Sequence, residues 1–214
     1  QVRSLEMRRP LLVTDGGIVR AGLAAEVEAI LRQAGIDFVL FDEVIANPPI
    51  ALVDAGAARY VAEGCDGLIG LGGGSSIDTA KAIGVVVSNG GSIADYEWAD
   101  PNPVVKRIPP LIAVPTTSGT GSEVTLWAVI TDPARHIKYN VGGTALIGPH
   151  IALLDPELTV NLPAAVTAGT GMDALAHAIE CYTCAYAQPW PDAVALMAME
   201  YVGDWLRIAY AQGQ

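Results

Sequence analysis

Short apolar runs alternate with segments of helical periodicity along most of the chain. Leu11-Leu12-Val13-Thr14, Phe38-Val39-Leu40-Phe41, Leu68 to Leu71, Leu111 to Val114 and Ile151 to Leu154 are bounded by turn-forming residues, which predicts five strands. Between them, Ala24 to Gln33, Ile50 to Ala62 and Ile77 to Val87 carry the helical pattern. Strands spaced by helices in this way predict a parallel sheet with helices on both faces. Ala128 to Thr131 and Ile137 to Val141 flank Asp132-Pro133-Ala134-Arg135, which suits a hairpin loop with Asp at its first position and Pro at its second. Past Leu162-Pro163 no strand signal remains, and Pro163 to Tyr210 is Ala-rich and helical in pattern. The expected organisation is an α/β domain over residues 1–160 and a helical segment over 161–214.

Composition narrows the picture. Of 214 residues, 51% are hydrophobic and 16% charged, enough for a sizeable core. A mean hydropathy of +0.38 is high for a chain of this size and predicts surface normally covered by a partner or another domain. No apolar stretch has the length of a membrane span, and Gln1-Val2-Arg3-Ser4 does not open a signal peptide. A net charge of −11 argues against nucleic acid as a partner. Cys65, Cys181 and Cys184 do not form a disulfide framework, so reduced thiols and a cytoplasmic location are expected.

The most informative stretch is Gly67-Leu-Ile-Gly-Leu-Gly-Gly-Gly-Ser-Ser-Ile-Asp-Thr-Ala-Lys81. An apolar strand runs into Gly72, Gly73 and Gly74, and a helix follows. Without Cβ atoms the backbone can turn sharply there and admit a close ligand. Ser75 or Ser76 is placed to cap the helix, with Asp78 as the capping-box carboxylate if Ser75 is the cap. The first-turn N–H groups then favour an anion. The pattern differs from G-x-G-x-x-G, and an ordinary glycine-rich turn is the competing reading.

Three further constellations carry chemistry. Asp15, at the carboxyl end of the first strand, can accept both ribose hydroxyls of an adenosine and would repel a 2′-phosphate; capping the next helix is its alternative. Pro115-Thr-Thr-Ser-Gly-Thr-Gly-Ser-Glu123 packs hydroxyls and N–H groups into a loop directly after the fourth strand, at the sheet edge where ligands bind in such folds. Asp173 and His177, four apart, share a helix face and can bind one metal ion; a hydrogen-bonded pair is the alternative. Their small apolar neighbours predict partial burial. Cys181 and Cys184 lack the second ligand pair of a zinc ribbon and are read as buried small residues.

Gly72–Lys81, Pro115–Thr125 and Gly171–Glu180, with Asn47-Pro48-Pro49 and Asp155-Pro156-Glu157-Leu158 between them, resemble the iron-containing (group III) alcohol dehydrogenase family. The resemblance runs essentially end to end. It implies a Rossmann-like dinucleotide-binding domain of the dehydroquinate synthase-like type, an all-helical domain, and a divalent metal in the cleft between them. By that resemblance Asp15 reads the adenosine ribose and favours NAD over NADP. Gly73, Gly74 and Ser75 form the pyrophosphate turn, with Asp78 beside it. Thr116, Thr117 and Thr120 contact the cofactor near its nicotinamide half, and Lys138 is similar to a lysine that reaches a cofactor ribose. Asp173 and His177 match the first two metal ligands, for Fe²⁺ or Zn²⁺. The implied activity is NAD-dependent interconversion of a primary or secondary alcohol and its aldehyde or ketone. No residue is assigned the catalytic step itself. The expected partners are a small alcohol or aldehyde substrate and further copies of the chain, with neither nucleic acid nor membrane.

The resemblance breaks at the metal. The family uses one Asp and three His, and this chain has only His136, His150 and His177. His136 lies beside the hairpin turn and His150 precedes the last strand. An internal piece of a longer enzyme is therefore expected, and a catalytically incomplete nucleotide-binding module is the alternative.

Overall fold

The structure is a computed structural model that describes residues 1–186 and 188–212. Ala187, inside the stretch read as helical, and Gly213 and Gln214 lie outside the described residues. The α/β part contains, in order, β1 (Pro10–Asp15), α1 (Gly16–Arg20), α2 (Leu23–Gln33), β2 (Val39–Val44), α3 (Ile50–Ala62), β3 (Gly67–Gly72), α4 (Gly74–Asn89), β4 (Leu111–Pro115), β5 (Trp127–Asp132), β6 (Ile137–Gly142) and β7 (Ile151–Ala152). Two long helices follow, α5 (Ala164–Thr183) and α6 (Pro189–Gln212). No helix among the described residues is long and apolar enough to cross a membrane.

The chain divides into two compact units. The first comprises Gln1–Pro115 and Ser122–Leu154; the second comprises Thr116–Gly121 and Asp155–Gln214.

In the first unit a parallel sheet runs in the order β2-β1-β3-β4-β7. Its register is set by pairs such as Leu11 with Leu68 and Leu68 with Leu111, all three wholly buried. β1, β3 and β4 are buried on both faces, as a covered parallel sheet requires. On one face Leu11, Val13 and Leu68 pack with Val53 and Ala57 of α3 and Ala80 and Ile83 of α4. The same core takes in Ala128, Ile130, Tyr139 and Val141 of the β5–β6 hairpin. At the hairpin loop, Asp132 Oδ1 accepts from the N–H groups of Ala134 and Arg135 at 2.9 and 3.2 Å, the geometry the Asp-Pro pattern predicted.

Three local expectations need correction. α1 was not foreseen, because Gly16-Gly17 masks a one-turn helix that Asp15 caps. β7 is two residues long rather than four, since pairing with β4 ends at Ala113–Ala152. Neither Ser75 nor Ser76 caps α4. Gly73 is the cap and the helix begins at Gly74, because a backbone freed by consecutive glycines enters the helix before the serines are reached.

In the second unit α5 and α6 pack against each other, and along these helices buried residues are sparse: Gly171 and Ala178 on α5 and Ala195 on α6 among the described residues. Met172, Ile179, Trp190, Leu196, Tyr201 and Trp205 are exposed.

Candidate functional site

The glycine turn joins the carboxyl end of β3 to the amino end of α4. Gly72 sits at φ +142°, and a Cβ there would lie 2.6 Å from Ser76 Oγ and 3.2 Å from Asp15 Oδ2. Only glycine serves at this point. Gly73 caps the sixteen-residue α4 with no side-chain hydrogen bond to its first turn. That is an anion-binding end by backbone geometry and dipole alone. Gly73, Gly74 and Ser75 are all partly accessible.

Asp15 lies beside this turn. Its Oδ1 accepts from the Gly17 and Ile18 N–H groups at 2.7 and 3.2 Å, and its Oδ2 accepts from Ser76 Oγ at 3.2 Å. The carboxylate therefore caps α1 and ties β1 to the first turns of α4. It remains half-buried and retains acceptor capacity, so the capping reading and the ribose reading are compatible. A pyrophosphate and an adenosine ribose fit what these residues present.

Asp78 points elsewhere. Its Oδ1 accepts a short hydrogen bond from Ser122 Oγ, and its Oδ2 accepts from the Val129 N–H at 3.0 Å. Both oxygens are thus engaged within the chain. Burial raises its pKa against the lowering effect of Lys81, whose ammonium is 3.7 Å away. Lys81 is wholly buried, and burial pulls it down to about 8 while Asp78 and Glu123 oppose the shift. Sequence reading passed over Lys81. The available signal was that it is the single charge between Asp78 and Asp95, inside the otherwise apolar run from Ala80 to Val87.

Lys138 is exposed on β6, opposite Thr131 of β5. Thr116, Thr117 and Thr120 belong to the second unit. Thr116 is buried, and its Oγ1 has no hydrogen-bond partner, an unsatisfied hydroxyl immediately after β4. Within the same unit the loop packs on α5 so closely that a Cβ at Gly119 would come 2.2 Å from the Thr170 carbonyl oxygen. A groove of ≈ 670 Å³ is walled by Ser118, Thr167, Thr170, Tyr201, Trp205 and Leu206.

Asp173 Oδ1 and His177 Nε2 are 3.8 Å apart on α5, as the spacing predicts. Asp173 is partly buried, as expected, whereas His177 is exposed. Cys181 and Cys184 are also exposed rather than buried. Both corrections share one cause: apolar neighbours bury a residue only where a second surface meets that face. Among the described residues no third His, Cys, Asp or Glu joins the pair. One carboxylate and one imidazole are suitable donors, but two do not complete a metal centre.

The parallel sheet, the glycine turn at the head of α4 and the helices that follow define an α/β protein with a Rossmann-like sheet and a helical part. The sequence pattern of iron-containing alcohol dehydrogenases matches residues 1–156, and that of the C-terminal part of the Fe-containing alcohol dehydrogenase family matches residues 167–214. The chain belongs to the iron-containing alcohol dehydrogenase family. It is 55% identical to a choline dehydrogenase of Bacillus subtilis (strain 168) over 100% of this chain and 53% of the relative. It is 44% identical to an NAD-dependent methanol dehydrogenase of Bacillus methanolicus over 100% of this chain and 55% of the relative. A crystal structure of 1,3-propanediol oxidoreductase superposes with a TM-score of 0.94 at 37% identity, covering 100% of this chain and 55% of that one. The chain thus spans about half the length of the curated relatives it matches.

Proposed function

We propose that this chain supplies the NAD-binding part of a metal-dependent alcohol dehydrogenase acting on a primary or secondary alcohol and its aldehyde or ketone. The observation that carries the reading is the amino end of α4, capped by Gly73 without a side chain and flanked by the Asp15 carboxylate. A pyrophosphate is held by the first-turn N–H groups at Gly74 and Ser75, and the adenosine ribose is held by Asp15. The Asp15 charge sits where a 2′-phosphate would fall, which favours NAD over NADP. Lys138 and the hydroxyls of Thr116, Thr117 and Thr120 are assigned to the rest of the cofactor. Asp78 moves from direct contact to a supporting role, because both its oxygens are engaged. The name of the methanol-oxidising relative supports NAD as the cofactor class.

Asp173 and His177 are assigned as two ligands of a divalent ion, Fe²⁺ or Zn²⁺. Such an ion, when bound, acts as a Lewis acid on the substrate oxygen. The described residues do not complete its site, so no step is drawn through it. The domain division near residue 160, the small alcohol or aldehyde substrate and assembly with further copies of the chain belong to this proposal as well.

Calorimetric titration of the chain with NAD and NADP tests the reading. The expected result is NAD binding in preference to NADP, with Asp15→Gly shifting that preference toward NADP by about tenfold, the worth of roughly 1.4 kcal/mol. Failure to bind either dinucleotide overturns the reading, and an unchanged preference removes Asp15 from the site.

A further inference from the structure

Lys81 is a fully buried cation in the middle of α4, and its Nζ reaches the stretch from Ser122 to Trp127. It donates to the Trp127 carbonyl at 2.7 Å, to the Thr125 carbonyl and Oγ1 at 3.1 Å each, and to Ser122 Oγ at 3.3 Å. Ser122 passes a hydrogen bond on to Asp78, which also accepts from the Val129 N–H. Two charged residues one helical turn apart therefore grip Ser122, Thr125, Trp127 and Val129 together. Burying an ammonium is costly, and a buried ion pair replaced as a whole by apolar side chains often leaves stability unchanged or higher. What a lysine adds is direction: its donors fix backbone carbonyls that a methionine would leave loose.

The gripped segment leads straight into β5, which pairs with β6 and so carries Lys138 through the Thr131–Lys138 register. The gripping helix is the one that opens at the glycine turn. We propose that Lys81 is a positioning residue for the dinucleotide: with Asp78 it locks the Ser122–Val129 segment, and the hairpin that follows, to the helix that holds the pyrophosphate. The inference rests on the dinucleotide reading of that turn. Asp15 and the turn take the adenosine ribose and the phosphates, so the hairpin meets what lies beyond them, the nicotinamide riboside. Lys81 then acts on that half of the ligand and not on the adenosine half.

The two halves can be separated by titrating the full chain with ADP and with NAD⁺. Lys81→Met is expected to weaken NAD⁺ binding about tenfold and to change ADP binding less than twofold. Thr125→Val and Ser122→Ala each remove one acceptor from the grip without touching the lysine. They are expected to show the same selectivity at about threefold, which keeps the test decisive if Lys81→Met does not fold. A purely structural lysine would lower both affinities together. Equal losses for ADP and NAD⁺, or no loss for either, overturn the assignment. If the unaltered chain binds neither ligand, the dinucleotide reading itself has failed; ADP binding with no selective effect of the variants fails the Lys81 assignment alone.

Discussion

Both units of the chain are rich in apolar residues, and they use them in opposite ways. In the first, Leu11, Val13, Leu68, Ile83 and Leu111 are wholly inaccessible, and even a lysine is enclosed. In the second, Leu196, Met197, Tyr201, Trp205 and Ile208 on α6 stand exposed, although α6 is a long and regular helix. Helical order in α5 and α6 comes from local pattern and from their packing on each other, whereas order in the sheet unit comes from a closed core. Contiguous apolar faces of this kind mark surfaces made to be covered.

The contrast can be broken most directly by paired truncations. Ile83→Ala, inside the core, is expected to destabilise the chain by about 2–5 kcal/mol. Leu196→Ala, on the exposed face of α6, is expected to cost less than about 1 kcal/mol. Urea unfolding measures both, and equal costs would abolish the distinction between the units. Next in size is Gly72→Ala. It forces a side chain into φ +142° and against Ser76 and Asp15, at about 1–3 kcal/mol, and should also weaken nucleotide binding. Loss of stability with unchanged affinity would detach the turn from the ligand.

A pH titration sharpens the contrast further. The folded chain sheds the Lys81 proton near pH 8, before free lysine does. Between about pH 8 and the free-lysine range the unfolded chain binds more protons, so this group makes stability rise with pH in that window. The raised pKa of Asp78 acts oppositely at the acid end, where the folded chain holds the proton longer and this group makes stability fall as pH rises. Urea midpoints against pH should show an alkaline limb that Lys81→Met flattens; an unaltered limb refutes the burial effect. The smallest change is expected from His177→Ala. An exposed side chain 3.8 Å from its partner contributes little, so stability should move by less than about 0.5 kcal/mol. A larger loss would give the pair a structural role.

The strands, the hairpin and the glycine turn were legible in the sequence because each is written locally, in apolar runs and in residues with special backbone freedom. α1 was not, since a single turn starting at Gly16-Gly17 has no periodicity to read. The cap of α4 was misassigned because serine preference competes with glycine freedom, and glycine came first in the chain. The exposure of His177, Cys181 and Cys184 was misjudged for a different reason. Periodicity tells which residues share a helix face and is silent on whether anything faces them. Lys81 is the reverse case: a charge whose burial depends on carbonyls more than forty residues away in sequence, which no local pattern records.

The shortness of β7 sets the order in which the sheet would come apart. Its pairing with β4 rests on Ile112–Ile151 and Ala113–Ala152, flanked by hydrogen bonds from the His150 N–H to the Leu111 carbonyl and from the Leu153 N–H to the Ala113 carbonyl. β1, β3 and β4 each have a strand on both sides, while β7 has a neighbour on one side only. Little free energy separates the closed seam from a frayed one, so amide protons at this margin exchange with solvent through local opening while those of β1 and β3 wait for global unfolding. The sheet is a zip whose last teeth are few.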